Sequence, residues 1–250
     1  MTAAVPVRVL GGPTALLEYG GLTFLTDPTF DGPGDHPLGN GRVLTKTAPA
    51  GAAPADLGNI DVVLLSHDQH PDNLDRSGRA LLADVPLTLT TRGGADRLGG
   101  TARGLAPWDS TVLPGPGGVD VTVTAVPALH GPEGCEPVIG EVVGFVLSGD
   151  GLPTVYVSGD NASLDLVRQI AERFGPVDTA VLFAGAARTA ALDGALLTLD
   201  SGQAAEAARI LGARRIVPVH FDSWAHFTEG REELVAAFTA AGLLDRVQLS

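Results

Sequence analysis

The amino-acid sequence predicts an α/β fold with two β-sheets sandwiched between helical layers. Three observations carry this expectation. The first 30 residues divide into short apolar or alternating runs punctuated by Gly-Gly, Gly-Pro and Asp-Pro. The second half alternates amphipathic helical patterns with buried strand patterns. Between them, "IDVVLLSH" (residues 60–67) is nearly continuous in Leu and β-branched residues, as in strands covered on both faces. The 250 residues show no composition break or internal repeat, so one domain over residues 1–250 is expected.

Taken in order, "VRVLGG", "TALLEYG" and "LTFLTD" read as a β-meander. Residues 30–59 read as a long Gly/Pro-rich loop, and its place directly before a polar cluster suggests a flap over a site. After the strand at 60–67, "DNLDRSGRALLADV" has helical spacing, with Asp72 or Asn73 placed to cap it. A strand "PLTLTT", a short helix or turn "GGADRLGG" and the alternating run "VDVTVTAVPALH" follow. "EVVGFVLSGD" and "PTVYVSGD" suggest a pair of antiparallel strands. "NASLDLVRQIAERFG" is an amphipathic helix with Asn161 or Ser163 as cap and Gly175 as stop. The strand "VDTAVLFAG", a helix capped by Asp200 or Ser201, the strand "RRIVPVHF", a last helix "EGREELVAAFTAAG" and a short strand "RVQLS" complete the chain.

Composition narrows the function classes. A net charge of −13, with Lys46 the one lysine, argues against nucleic acid, whose phosphates require clustered Lys and Arg. No apolar run approaches the roughly 20 residues of a membrane span, and the N-terminus lacks a basic-then-apolar leader, so a soluble cytoplasmic protein is expected. Cys135 stands alone, which excludes an internal disulfide. "HGPEGCEPV" gives it acids on either side and no helix start, so a structural role is expected. Gly-x-Ser-x-Gly, His-Glu-x-x-His and phosphate-loop motifs are absent.

Chemistry concentrates in "SHDQHPDNLD" and in three later positions. His67, His130, Asp160 and His220 each close a strand pattern, and His70 and Asp72 follow His67 at short spacing. Each alone has an ordinary reading as a turn or solvated residue; together they make a plausible set of imidazole and carboxylate donors on rigid strand ends. Such donors suit zinc, manganese or iron. A cation so held lowers the pKa of a bound water from about 15.7 toward about 7.

The order of strands, "SHDQHPDNLD", the histidine after the next long strand, "SGD" and the late "PVH" resemble the metallo-β-lactamase fold superfamily. The opening "VLGGPTALLEYGGLTFLTDPTF" is similar to the branch containing the ascorbate-6-phosphate lactonase type. The resemblance spans the whole chain and implies a four-layer αβ/βα sandwich of two mixed sheets flanked by helices. It also implies metal ligands: His67, His70 and His130 for a first ion, with Asp72, Asp160 and His220 for a second or for orienting the water. Asp160 would bridge, Asp72 would double as a proton shuttle, and Asp27 of "LTDPTF" would accept a hydrogen bond behind the ligands. The sequence departs from the family's His-x-His-x-Asp-His twice. One extra residue separates His67 from His70, and Asn73 replaces the final histidine, which weakens the second position.

The resulting expectation is a metal-dependent hydrolase of a small-molecule ester, lactone or related bond, using one or two divalent ions, zinc first and manganese or iron next. Asp72, Asp160 and His226 are the candidate catalytic residues. His226 is placed with Trp224 beside the pocket, with His36 a more remote candidate, and "LFAGAARTA" is small enough for close backbone approach. Two rival readings remain: an iron-dependent oxidoreductase on the same fold, and a non-hydrolytic biosynthetic accessory or binding protein with a degenerate metal site. The expected partner is a small-molecule substrate, with neither nucleic acid nor membrane, and self-association into a homo-oligomer is left open.

Overall fold

A computed structural model describes residues 4–39 and 41–249. The opening meander is present as β1 (Val7–Gly11), β2 (Thr14–Tyr19) and β3 (Leu22–Thr26), each antiparallel to the next. The stretch expected as a plain loop instead contains an antiparallel hairpin, β4 (Gly34–Gly39) and β5 (Arg42–Lys46), followed by a 3₁₀ turn at Pro54–Asp56. Its Gly and Pro content hid the pairing, since both residues are poor strand formers.

The strand at residues 60–67 is short, β6 (Val62–Leu64), and leads through the polar cluster into α1 (Arg76–Leu81). Asp75 caps α1 by accepting from the Gly78 amide at 2.8 Å, so neither Asp72 nor Asn73 is the cap; both side chains are turned to other partners. There follow β7 (Leu87–Thr91), α2 (Arg92–Leu98), β8 (Ala102–Leu105), β9 (Ser110–Pro114) and β10 (Asp120–Pro127). The strands β8 and β9 escaped the sequence reading, being short and interrupted by Gly and Pro.

One turn of helix, α3 (Glu136–Ile139), begins at Cys135, contrary to the expectation of no helix start there. The thiol is buried and its pKa raised, by burial first and then by Glu136, so it stays protonated and packs as a small apolar group. β11 (Val143–Ser148), β12 (Val155–Val157), α4 (Leu164–Phe174), β13 (Thr179–Phe183), α5 (Ser201–Ile210), β14 (Arg215–Val219) and α6 (Arg231–Ala240) follow the predicted order. Ser163 caps α4 and Gly175 ends it, while Asp200 and Gln203 form a capping box on α5. "RVQLS" is not a strand; it contributes a single bridge from Val247 to Ile216 after a 3₁₀ turn.

Two six-stranded mixed sheets result, in the orders β1-β2-β3-β6-β7-β8 and β14-β13-β12-β11-β10-β9. Period-2 alternation divides each strand between two cores. In the second sheet Phe145, Leu147, Val155, Val157, Val181 and Val217 point to the other sheet. Val146, Tyr156, Ala180, Leu182 and Ile216 point outward, against α4, α5 and α6. In the first sheet Leu17, Phe24, Val62 and Leu64 face inward, while Leu25 and Val63 pack outward with Leu74 and Leu82. This is the four-layer αβ/βα arrangement that the sequence resemblance implied.

Topology also decides where chemistry can gather. β10 and β12 are both antiparallel to β11, and β12, β13 and β14 are mutually parallel. The C-terminal ends of β10, β12 and β14 therefore lie on one rim of the second sheet. His130, Asp160 and His220 follow those ends directly.

Candidate metal centre

The six expected ligands come together in two buried groups. In the first, one nitrogen from each of His67, His70 and His130 lies within 4.8 Å of the others. His70 Nδ1 is 2.8 Å from His67 Nε2 and 3.3 Å from His130 Nε2. The far nitrogens are anchored: His130 Nδ1 lies 2.7 Å from the Leu197 carbonyl and His67 Nδ1 3.0 Å from Ser66 Oγ. A carbonyl accepts only from an N–H, which leaves the His130 Nε2 lone pair facing the group. Burial, reinforced by the neighbouring imidazoles, pushes the His70 pKa down to about 4 and that of His67 well below its usual value. Both rings are thus neutral and able to ligate near pH 7.

The second group is Asp72, Asp160 and His220. His220 Nε2 is 3.3 Å from Asp72 Oδ2, and its Nδ1 is 3.2 Å from Asp160 Oδ1. The other Asp160 oxygen reaches 3.4 Å from His130 Nε2, so this carboxylate spans both groups. Yet neither His220 nitrogen, neither Asp160 oxygen nor Asp72 Oδ1 makes a hydrogen bond, although all are buried. Buried polar atoms left without partners cost free energy unless something else satisfies them. Donors that converge without bonding one another fit a divalent cation, and the N/O chemistry of both groups agrees.

Both departures from the family motif have a visible resolution. The extra residue bulges away from the site: Asp68 is buried against Arg97, with Arg97 Nη2 to Asp68 Oδ1 at 2.6 Å and Nε to Oδ2 at 3.0 Å. Arg79 also donates to the Asp68 carbonyl at 3.1 Å, and Gln69 lies over Gly140, where an added Cβ would come within 2.1 Å of its Oε1. His67 and His70 still converge. Asn73, in place of the motif's last histidine, donates from Nδ2 to Asp27 Oδ2 at 3.1 Å, and its buried Oδ1 has no hydrogen-bond partner.

Asp27 sits behind the ligands. It accepts from the Ser66 amide and the Ser66 hydroxyl, both at 2.6 Å, so it fixes the residue that touches His67. Burial raises its pKa to about 7; the nearby Asp160 charge acts in the same direction, and the hydrogen bonds from Ser66 and Asn73 oppose it. Two non-glycine residues here, Asp27 and His220, have φ of 28° and 58°, backbone strain of the kind found at functional sites. Gly159 of "SGD" has φ +57°, and a Cβ on it would meet the Val143 carbonyl oxygen at 2.7 Å and Ser66 Cβ at 2.8 Å.

A small cleft of about 60 Å³ opens over both groups. His70, Asp72, His130 and His226 form its floor, while Leu38 and Leu44 of the β4–β5 hairpin, Ile139 and Leu197 form apolar walls. His226 lies at the cleft as expected, with Nε2 3.1 Å from Asp72 Oδ2. Trp224 does not line the cleft; it is buried beneath the hairpin. His36 packs on Trp224 at 5.1 Å and does not reach the cleft. The small-residue segment after β13 does approach closely, since a Cβ on Gly185 would lie 2.2 Å from the His220 carbonyl oxygen. Arg42, Arg188, Ser66 and the Asp68–Arg97 pair are the residues that sequence spacing gave no means of finding.

Comparison with known proteins bears on the family and the fold. The sequence model described as "Beta-lactamase superfamily domain" matches residues 23–221. A UPF0173 metal-dependent hydrolase of Pyrococcus furiosus is 26% identical over 213 residues, covering 85% of this chain and 89% of the relative. An isothiocyanate hydrolase from Delia radicum gut bacteria superposes with a TM-score of 0.81 at 21% identity, over 96% of this chain and 94% of that one. CmlA, a diiron beta-hydroxylase from Streptomyces venezuelae, gives 0.67 at 20% identity over 98% of this chain and 51% of its own. At such identities the structural likenesses speak to fold alone. With its sheet order, its paired ligand groups and the family match over residues 23–221, the chain belongs to the metallo-β-lactamase fold superfamily.

Proposed function

We propose that this protein is a metal-dependent hydrolase that cleaves an ester or lactone bond in a small molecule. The observation that carries the reading is the pair of buried donor groups at the floor of an apolar-walled cleft, whose atoms converge and, in the Asp72, Asp160 and His220 group, lack hydrogen-bond partners. The relatives named metal-dependent hydrolases support it.

His67, His70 and His130 would hold a first ion; Asp72, Asp160 and His220 would hold a second, with zinc the best match to the nitrogen-rich first group. A divalent cation there supplies Lewis acidity and a water of lowered pKa. Asp160, within reach of both groups, fixes their separation. Asp72 is held by His220 and His226, and contact with these rings keeps its pKa well below the carboxylate range despite burial, which alone would raise it. It is therefore held ionised as a carboxylate, and His226 at the cleft floor orients it. Leu38, Leu44, Ile139 and Leu197 exclude bulk water. Asn73 gives the second group one imidazole fewer, so the three-histidine group fills first. The acidic chain favours a small molecule over nucleic acid.

Metal analysis of purified protein, joined to a panel of lactones, aryl esters, phosphodiesters and β-lactams, tests the reading. Zinc or manganese with lactone or ester turnover is expected. Iron with redox-active spectra and no hydrolysis would overturn it.

A further inference from the structure

The rim of the cleft carries two guanidinium groups that the metal chemistry does not use. Arg42 comes from β5 of the hairpin, and Arg188 from the segment after β13; both line the cleft, as does Thr189, the next residue after Arg188. Arg42 Nη2 donates to Thr189 Oγ1 at 3.4 Å, and Arg188 Nη1 donates to the Gly194 carbonyl at 2.8 Å. Several other arginines pair with acids, as Arg76 with Asp31, Arg92 with Asp109, Arg97 with Asp68 and Arg214 with Asp178, and others, such as Arg103 and Arg246, donate to neutral oxygens away from the cleft. Among the described residues, neither Arg42 nor Arg188 has a carboxylate within the 4.0 Å of an ion pair.

This placement is selective in a chain of net charge −13. Among the described residues Asp72 is the one acid lining the cleft, and it is engaged by His220 and His226. Two uncompensated cations and a hydroxyl at the mouth make a positive rim on an acidic protein. Guanidinium forks match the two-oxygen geometry of carboxylates and phosphates, and a neighbouring hydroxyl adds a further donor. The cleft, at about 60 Å³, is well below the roughly 300 Å³ or more of a pocket that engulfs a drug-sized ligand. It admits a reacting head, and the rest of the molecule must leave past the rim.

We infer that Arg42, Arg188 and Thr189 form an anion clamp, and that the substrate carries a carboxylate or phosphate group outside the scissile bond. This rests on the hydrolase reading for what happens at the floor, but the clamp itself is a binding site on the rim. It selects substrates whose anionic group reaches the mouth while the ester or lactone lies over the ligands. Because Arg42 rides on the hairpin and Arg188 on the segment after β13, an anion held by both also ties the hairpin to that segment.

Titration calorimetry on the metal-loaded protein tests the clamp with succinate as the carboxylate probe, glycerol 3-phosphate as the phosphate probe and dimethyl succinate as the neutral control. The wild type is expected to bind at least one anion and not the diester, and the stronger probe identifies the group. Arg42→Ala and Arg188→Ala should each weaken that binding by about tenfold or more, the worth of a lost charge-assisted bond, with unchanged metal content. Arg168→Ala, which removes the same charge from an exposed position on α4, should leave it unchanged. Binding that survives in both rim variants belongs to the metal and overturns the clamp, as does a wild type that binds neither anion better than the diester. Wild-type protein that takes up no metal would refute the hydrolase reading separately, and the same titrations on the metal-free wild type and variants then still decide the clamp.

Discussion

Lys46, the one lysine, should be worth about 3 kcal/mol to the fold, and the reason lies under the hairpin. Its ammonium is buried, 2.9 Å from the Thr29 carbonyl and 3.2 Å from Asp75 Oδ2, with the Trp224 ring centroid at 5.5 Å. Asp75 is equally buried and also accepts from the amides of Asp31 at 2.6 Å and Gly78 at 2.8 Å. Lys46→Met keeps most of the stem's volume but removes the charge. Taking one partner from a buried pair costs about 3–5 kcal/mol; the lower end applies because two backbone N–H groups still hold the carboxylate. In a chain of this size that corresponds to a fall in Tm of about 6–12 °C. Calorimetry or urea unfolding measures it, and Lys46→Met/Asp75→Asn should recover part of the loss because no uncompensated charge is left. None of the metal ligands is on the hairpin, so metal content should not change. A Lys46→Met protein within 0.5 kcal/mol of wild type would refute the argument that this pair anchors the hairpin.

Two further outcomes follow from the site. Asp160→Asn removes the carboxylate that spans both donor groups, so it should lower metal stoichiometry more than His226→Ala, whose ring touches Asp72 alone among the ligands; elemental analysis after gel filtration decides, and equal losses would contradict the bridging geometry. In metal-free protein the His70 pKa, near 4 against about 6.5 unfolded, means that the unfolded chain takes up the proton first, so this residue's contribution is intact above pH 6.5 and lost as the pH falls toward 4. Asp27, pushed up to about 7, acts with the opposite sign over the same range. The difference between wild type and His70→Gln therefore isolates the imidazole. It should shift by about 3 kcal/mol in favour of the variant between pH 8 and pH 4, read by urea unfolding; a constant difference would show that His70 is not held neutral.

How far the sequence revealed this site depended on whether the signal was local. Strand patterns that close on His67, His130, Asp160 and His220 could be read directly, because each ligand is tied to its own strand. The helix caps at Ser163 and Asp200 were equally visible, since a cap and its helix are a few residues apart. The cap of α1 was misplaced because four Asx residues, Asp68, Asp72, Asn73 and Asp75, crowd its start and only tertiary contacts sort them. Asp72 and Asn73 go to the site, Asp68 to Arg97, and Asp75 is left for the helix. The rim arginines were invisible for a related reason. Arg42 and Thr189 are 147 residues apart, and no periodicity records that they meet.

The extra residue between His67 and His70 illustrates how an irregularity can be absorbed outside the site it interrupts. An inserted position in a ligand loop must send a side chain somewhere, and here it goes into a buried pocket between α1 and α2. Asp68 fills it only because Arg97 and Arg79, one from each helix, neutralise it there. The insertion therefore fastens the ligand loop to both helices, whereas a regular His-x-His loop would have no side chain at that place. Asn73 works in the same direction by bonding to Asp27, which holds Ser66 and through it His67. Both departures from the motif thus stiffen the backing of the three-histidine group, while the Asn73 change withdraws an imidazole from the carboxylate group. The asymmetry between the two groups follows from what each departure touches, and it favours the first group in rigidity as well as in donor chemistry.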